Sequence, residues 1–247
     1  MGKSTRNMRG LWAITRKELY SYLVSPIAYA IAAVFLLING LIFYFFIVGP
    51  LAEASLQAVL PSTAFILLLI TPILTMRLIA EERATGTIEL LMTFPVTDLQ
   101  VVVGKFLATF ITYALMLVPT LTYVAIITLY GTPEFGVLLS AYLGLLLLGG
   151  AYISAGMLAS SFASSQVVAW ALCFGALLFL WLLGALGTLA SGPLGRALEL
   201  LSSLSPTDHF ETFGRGLLDT SEVIYFVTFI LGALFLTIRA VESARWR

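Results

Sequence analysis

The 247 residues are 60% hydrophobic and 11% charged, with a mean hydropathy of +1.02 and 13 basic residues balanced by 13 acidic ones. That leaves too little polar side chain to cover a soluble globule of this size, so a water-soluble domain is excluded and lipid is the solvent. The apolar runs are continuous and lack the period-two alternation of a transmembrane barrel, which predicts an all-α polytopic membrane protein forming a single domain over 1–247.

The first predicted element is an interfacial helix over 8–24. Met8, Leu11, Trp12, Leu19, Tyr22 and Leu23 recur at roughly helical spacing, while Arg9, Arg16 and Lys17 gather on another side. A helix of this kind lies on the inner leaflet, each basic residue adding about 1 kcal/mol beside anionic lipid. A basic flank that only sets topology, helical or not, accounts for the same residues. Ser25-Pro26 then ends the helix and turns the chain into the bilayer.

A core about 30 Å thick needs roughly 20 apolar residues per helix. Runs that meet this fall near 27–48, 58–76, 106–130, 137–162, 167–190 and 223–238, and these six windows hold no Lys, Arg, Asp or Glu. Pro72 and Pro119 each remove a backbone donor deep in spans two and three, so bends are expected there. Gly149, Gly150, Ser154, Gly156 and Ser160 give span four small-xxx-small spacing, which serves either a dimer seam or packing inside one subunit. Cys173, between Leu172 and Phe174, reads as a small buried apolar residue.

Between spans two and three lies a polar connector, 81–95. Glu81-Glu82-Arg83 closes the second span, Gly86 lets the backbone turn, and a short helical piece with Ile88, Leu91 and Met92 on one face stops by Pro95. Apolar knobs flanked by carboxylates fit a groove on a soluble partner. A solvated loop kept out of lipid by its charges fits the same residues. Lys105 is expected to snorkel toward water at the start of span three.

The largest region outside the bilayer is the loop 191–221. Leu194, Ala197, Leu198, Leu200 and Leu201 suggest a helix dipping back onto the membrane, and Phe210, Phe213, Leu217 and Leu218 form a further apolar set that needs burial. His209 stands near Asp208 and Glu211, where the three either form a metal or pH-sensing cluster or serve the fold.

With both termini in the cytosol, the inner segments hold eleven basic and six acidic residues and the outer segments two and seven. The zero net charge hides this asymmetry, which fixes the orientation by the positive-inside rule. A phosphate-binding loop needs a Gly-rich cradle followed by Lys and Ser/Thr; Gly2-Lys3-Ser4 has no upstream glycine and Gly104-Lys105-Phe106 no hydroxyl. One His, one Cys and no carboxylate within any span leave enzyme chemistry without its parts. A charge-free pathway suits an amphiphile or hydrophobic compound better than a small ion.

The run Glu81-Glu82-Arg83-x-x-Gly86-Thr87-Ile88-Glu89-x-Leu91, between the second and third of six spans and after an amphipathic N-terminal helix, resembles the permease subunit of type-2 ABC exporters over essentially the whole chain. Leu204 to Glu211, followed by Arg215-Gly216, Asp219 and Tyr225, is similar to the gliding-motility-associated subgroup and its relatives in nitrous-oxide-reductase maturation. The resemblance implies that 81–95 is a coupling helix, giving Glu81, Glu82, Arg83, Gly86, Thr87, Ile88, Glu89 and Leu91 a role in docking an ATPase. It implies two ABC ATPase subunits carrying MgATP, a second permease, identical or paralogous, and no cofactor, metal or catalytic residue on this chain. It implies a central cleft lined by spans two and five, with Phe65, Leu69, Thr71, Thr75, Trp170, Phe174 and Leu178 as cavity residues. Ser205, Pro206, His209, Phe210, Arg215 and Asp219 form an extracytoplasmic motif in helices that lid the exit path. The expected function is ATP-driven export across a bacterial cytoplasmic membrane, with membrane lipids and a periplasmic or membrane-anchored auxiliary subunit as further partners and no nucleic acid. The alternative is a scaffold or force-transmitting subunit of an envelope machine with no transported substrate.

Overall fold

A computed structural model describes residues 2–48, 56–86, 97–130, 135–187 and 200–244. Among them there is no strand, and six stretches are long and apolar enough to cross a membrane: Pro26–Phe46, Val59–Ala84, Asp98–Leu129, Phe135–Phe162, Gln166–Ala185 and Thr220–Ser243.

Helix α1 (Gly2–Val24) runs without a break to Ser25, where Pro26 opens α2 (Pro26–Val48). The second span is α3 (Leu56–Thr75), a turn over 76–79, and the short α4 (Ala80–Ala84). Pro72 lies in the last turn of α3, next to that interruption. The third span starts at Asp98 rather than near 106 because Thr97 and Gln100 cap each other: the Thr97 side chain accepts from Gln100 N at 3.3 Å and Gln100 Oε1 accepts from Thr97 N at 3.0 Å. Pro119 splits this span, the tight turn Val118–Thr120 separating α5 (Asp98–Leu117) from α6 (Leu121–Tyr130). Then follow α7 (Phe135–Phe162), α8 (Gln166–Gly187), α9 (Pro206–Gly214) and α10 (Thr220–Ala244).

Apolar all round, α7 is the axle of the bundle. It packs against α3, α5, α8, α9 and α10, and Leu148, Ala151, Tyr152, Ile153 and Met157 on it are fully buried. In lipid, helices attract through close packing more than through exclusion of water, so small residues matter where backbones meet. A Cβ at Gly149 would stand 2.2 Å from a Tyr113 ring carbon, and one at Gly156 would stand 2.2 Å from Thr75 Oγ1. The small residues of span four therefore serve packing inside the subunit.

Within the most apolar stretch of each span, 67%, 61% and 61% of residues are buried in the α3–α4, α5–α6 and α7 spans, against 17%, 28% and 22% in α2, α8 and α10. The outer three present broad apolar faces to lipid or to another chain. On α9, Phe210 and Phe213 are buried against α7, but Leu217 and Leu218 are about 60% exposed and do not join them. Gly216, at φ +84°, turns the chain outward at that point, and the Leu217 carbonyl, not its side chain, meets Ser140 at 3.4 Å.

Candidate functional site

Charge enters the bundle at the α1 end, where α3 stops. The break leaves backbone donors without helical acceptors, a cost of about 1–3 kcal/mol for each buried group left unpaired. A single hydroxyl from α7 meets it: Ser160 Oγ accepts from Ile79 N at 3.1 Å and Ala80 N at 3.0 Å, and donates to Met76 O at 3.3 Å. Thus fixed, α4 starts with Glu81 and Glu82 in its first turn. It ends at Gly86, whose φ of +70° is the left-handed conformation a glycine adopts without strain.

Glu82 turns inward. Its Oε1 lies 2.8 Å from Lys105 Nζ on α5, and Glu18 Oε1 on α1 lies 3.3 Å from the same ammonium. Lys17 flanks Glu18 at 3.8 Å. The Lys105 side chain is only 4% exposed, so it does not snorkel: α1 crosses over α5 and covers its stem, and two carboxylates supply the contacts that water would have made. Such a buried group is costly to desolvate and gains little net stability, but it fixes register strongly, because removing one partner strands the others. Beside it, Tyr22 OH donates to Leu74 O at 2.9 Å and accepts from Thr109 Oγ1 at 3.4 Å. Burial pushes the Tyr22 phenol up to about 12, so it remains a donor. Three elements meet here: the N-terminal helix, the root of the connector and the third span.

Of the expected docking residues, Glu81, Glu82 and Arg83 are half-buried on α4 and Gly86 closes it, whereas Thr87, Ile88, Glu89 and Leu91 lie outside the described residues. The expected cavity residues separate into two sets. Phe65 and Leu69 on α3 are each 39% exposed, and Trp170, Phe174 and Leu178 follow one face of α8, with Trp170 stacked on Phe174 and Phe65 against Trp181. Thr71 and Thr75 are buried instead. Their hydroxyls bond to Leu67 O and Thr71 O of their own helix, and Thr75 faces Cys173, so they line no open surface of this subunit.

At the opposite, α9 end, Ser205 and Pro206 are buried at the start of α9 and Phe210 packs inward. His209 does not converge with Asp208 and Glu211. Its Nδ1 meets Glu222 of α10, its Nε2 lies 2.9 Å from Ser203 O, and its ring stacks on Tyr225 with centroids 3.7 Å apart. Tyr225 OH in turn donates to Leu204 O at 2.8 Å. Glu211 pairs with Arg215 at 3.3 Å on the surface. Asp208 lies against Gly184, where burial first and the Glu211 charge second push its carboxyl above the usual range, opposed by a Ser205 hydrogen bond. Asp219 Oδ1 caps α10 by accepting from Ser221 N at 3.0 Å.

Glu18 and Ser160 are the residues that sequence reading missed. The one signal for Glu18 was its place as the only acid in a basic amphipathic helix. The family model described as ABC-2 family transporter protein matches residues 12–241, nearly the whole chain. No curated protein matches it.

Proposed function

The chain belongs to the ABC-2 transporter family and is a multi-pass membrane permease subunit, and we propose that it couples ATP hydrolysis by a separate ABC ATPase subunit to export across the membrane. The working unit is two permeases, identical or paralogous, with two ATPases holding MgATP. Both termini face the cytosol of a bacterial inner membrane, in keeping with eleven of 13 basic residues falling on that side. The segment around 204–211 relates it to the gliding-motility-associated subgroup.

The observation that carries this reading is the root of the connector. Glu82 is pinned through Lys105 to α1 and α5, and the backbone just before it is pinned through Ser160 to α7. A segment anchored on three helices passes a push from a soluble motor into the bundle, whereas a free loop would absorb it. Docking falls to Glu81, Glu82, Arg83, Gly86, Thr87, Ile88, Glu89 and Leu91. The faces carrying the exposed Phe65, Leu69 and Trp170 and the half-buried Phe174 and Leu178 form the walls of a cleft between two permeases, and their lack of charge suits an amphiphilic or hydrophobic cargo.

The test is mass spectrometry of proteins that co-purify with the chain from native membranes in mild detergent, comparing wild type with Glu82→Ala/Glu89→Ala. A soluble ATPase present with the first and depleted from the second is expected. An ATPase retained equally by both would remove the docking assignment. ATPase activity that responds to no cargo but needs a periplasmic protein would replace export with force transmission to an envelope machine.

A further inference from the structure

A cavity of about 450 Å³ opens at the α1 end between α1, α2 and the junction of α3 with α4. Its walls change character. Ile27 and Ile31 on α2 and Ile73 on α3 make one part apolar, while Lys17, Arg77 and Glu81 make the other charged.

Three basic and three acidic side chains line it, so its formal charge is zero, yet the six are not equally engaged. Lys105, Glu18, Glu82 and Lys17 hold one another at 2.8, 3.3 and 3.8 Å. Arg77 and Glu81 are left over. Arg77 Nε is buried without a hydrogen-bond partner, and neither residue makes an ion pair. They do not meet as a helical i,i+4 pair, because Arg77 lies in the non-helical turn 76–79. A guanidinium N–H removed from water and given no acceptor lacks the compensation that a buried polar group requires.

We propose that this cavity holds the headgroup of an aminophospholipid of the inner leaflet, with its phosphate on Arg77, its ammonium toward Glu81 and an acyl chain along the apolar wall of α2 and α3. The guanidinium fork suits phosphate oxygens, and one unengaged cation beside one unengaged anion complements a zwitterion. An anionic lipid would satisfy Arg77 but set its charge against Glu81. A soluble phosphate would leave the apolar wall empty. The cavity also lies where an amphipathic helix gives way to a spanning one at Ser25-Pro26, the depth at which headgroups are found.

Native mass spectrometry of the full-length protein, delipidated in mild detergent and titrated with phosphatidylethanolamine, phosphatidylglycerol or inorganic phosphate, tests this. Wild type should take up one phosphatidylethanolamine per chain in preference to phosphatidylglycerol. Arg77→Gln should lower that occupancy at least fivefold, and Glu81→Gln should bring the two lipids to within twofold of each other. Should Arg77→Gln not fold, Ala28→Phe fills the apolar part without touching a charge and should also expel the lipid. Unchanged occupancy in whichever of these two folds, equal uptake of both lipids by wild type, or inorganic phosphate binding in place of lipid would each overturn the proposal.

Discussion

The two ends of the bundle tie their non-spanning segments down by different chemistry. At the α1 end a buried ammonium is shared by carboxylates from two other elements, and a hydroxyl caps the break in span two. At the α9 end one imidazole, its side chain 21% exposed, stacks on Tyr225 and bridges Glu222 to the backbone at Ser203. A buried ionic cluster resists partial opening, since losing one member strands the rest at high cost. A partly exposed stack with hydrogen bonds yields in small steps, because water replaces each contact as it breaks. The α1 end is thus built to move as a block and the α9 end to loosen piece by piece.

The strongest way to break that contrast is Lys105→Met. It takes from Glu18 and Glu82 the buried cation they share, leaving only the exposed Lys17 beside Glu18, and should cost about 3–5 kcal/mol. Thermal unfolding in detergent would report the loss, and protease access to α1 its location. Adding Glu18→Gln and Glu82→Gln to Lys105→Met should recover most of the stability but not ATPase coupling. A single variant that costs less than about 1 kcal/mol would mean that the cluster is no more cooperative than a surface ion pair.

Ser160→Ala should rank next. It strands two backbone donors at the α3–α4 break, for about 2–3 kcal/mol. Because Ser160 touches no charge, uncoupling of ATPase activity by this variant, with the ion cluster intact, would separate the position of the connector from its electrostatics. Ser160→Thr keeps the hydroxyl and should retain coupling if the crowded site admits the extra methyl.

How much of this was legible in sequence depended on the range of the interaction. The six spans could be read because about 20 residues without a charge have no other economical solution in lipid. Gly86 could be read because an exposed turn after a helix favours glycine, and its φ is +70°. Lys105 could not, because Glu18 is 87 residues away and only the crossing of α1 over α5 brings them together. Ser160 looked like one more small residue in a stripe, since nothing local shows that its oxygen meets donors 80 and 81 residues earlier. The cavity reading failed at Thr71 and Thr75 because spacing along a helix does not show which side its neighbours cover.

At the α9 end the effects should be smaller. His209→Phe keeps the stack on Tyr225 but loses both polar contacts of the ring, which should cost about 1–2 kcal/mol. Hydrogen exchange should quicken in Pro206–Gly214 and the start of α10 and stay unchanged around Lys105. Faster exchange at both ends would show that the two are coupled and that the contrast between them is wrong.

The smallest expected effect is a pH dependence at Asp208. Its carboxyl is held above the ordinary 3.8 chiefly by burial, so the folded chain takes up a proton more readily than the unfolded one. The group favours the fold fully below the unfolded value and loses that contribution as pH rises through the folded value, after which the ionised carboxylate opposes the local structure by a constant amount. Asp208→Asn should therefore be slightly more stable than wild type at neutral pH, with the gap closing as pH falls through the carboxylate range. Melting curves of both proteins across that range, read alongside exchange in Pro206–Gly214, measure it. A gap that widens on acidification would mean that the ionised carboxylate is held by its Ser205 hydrogen bond more strongly than burial opposes it.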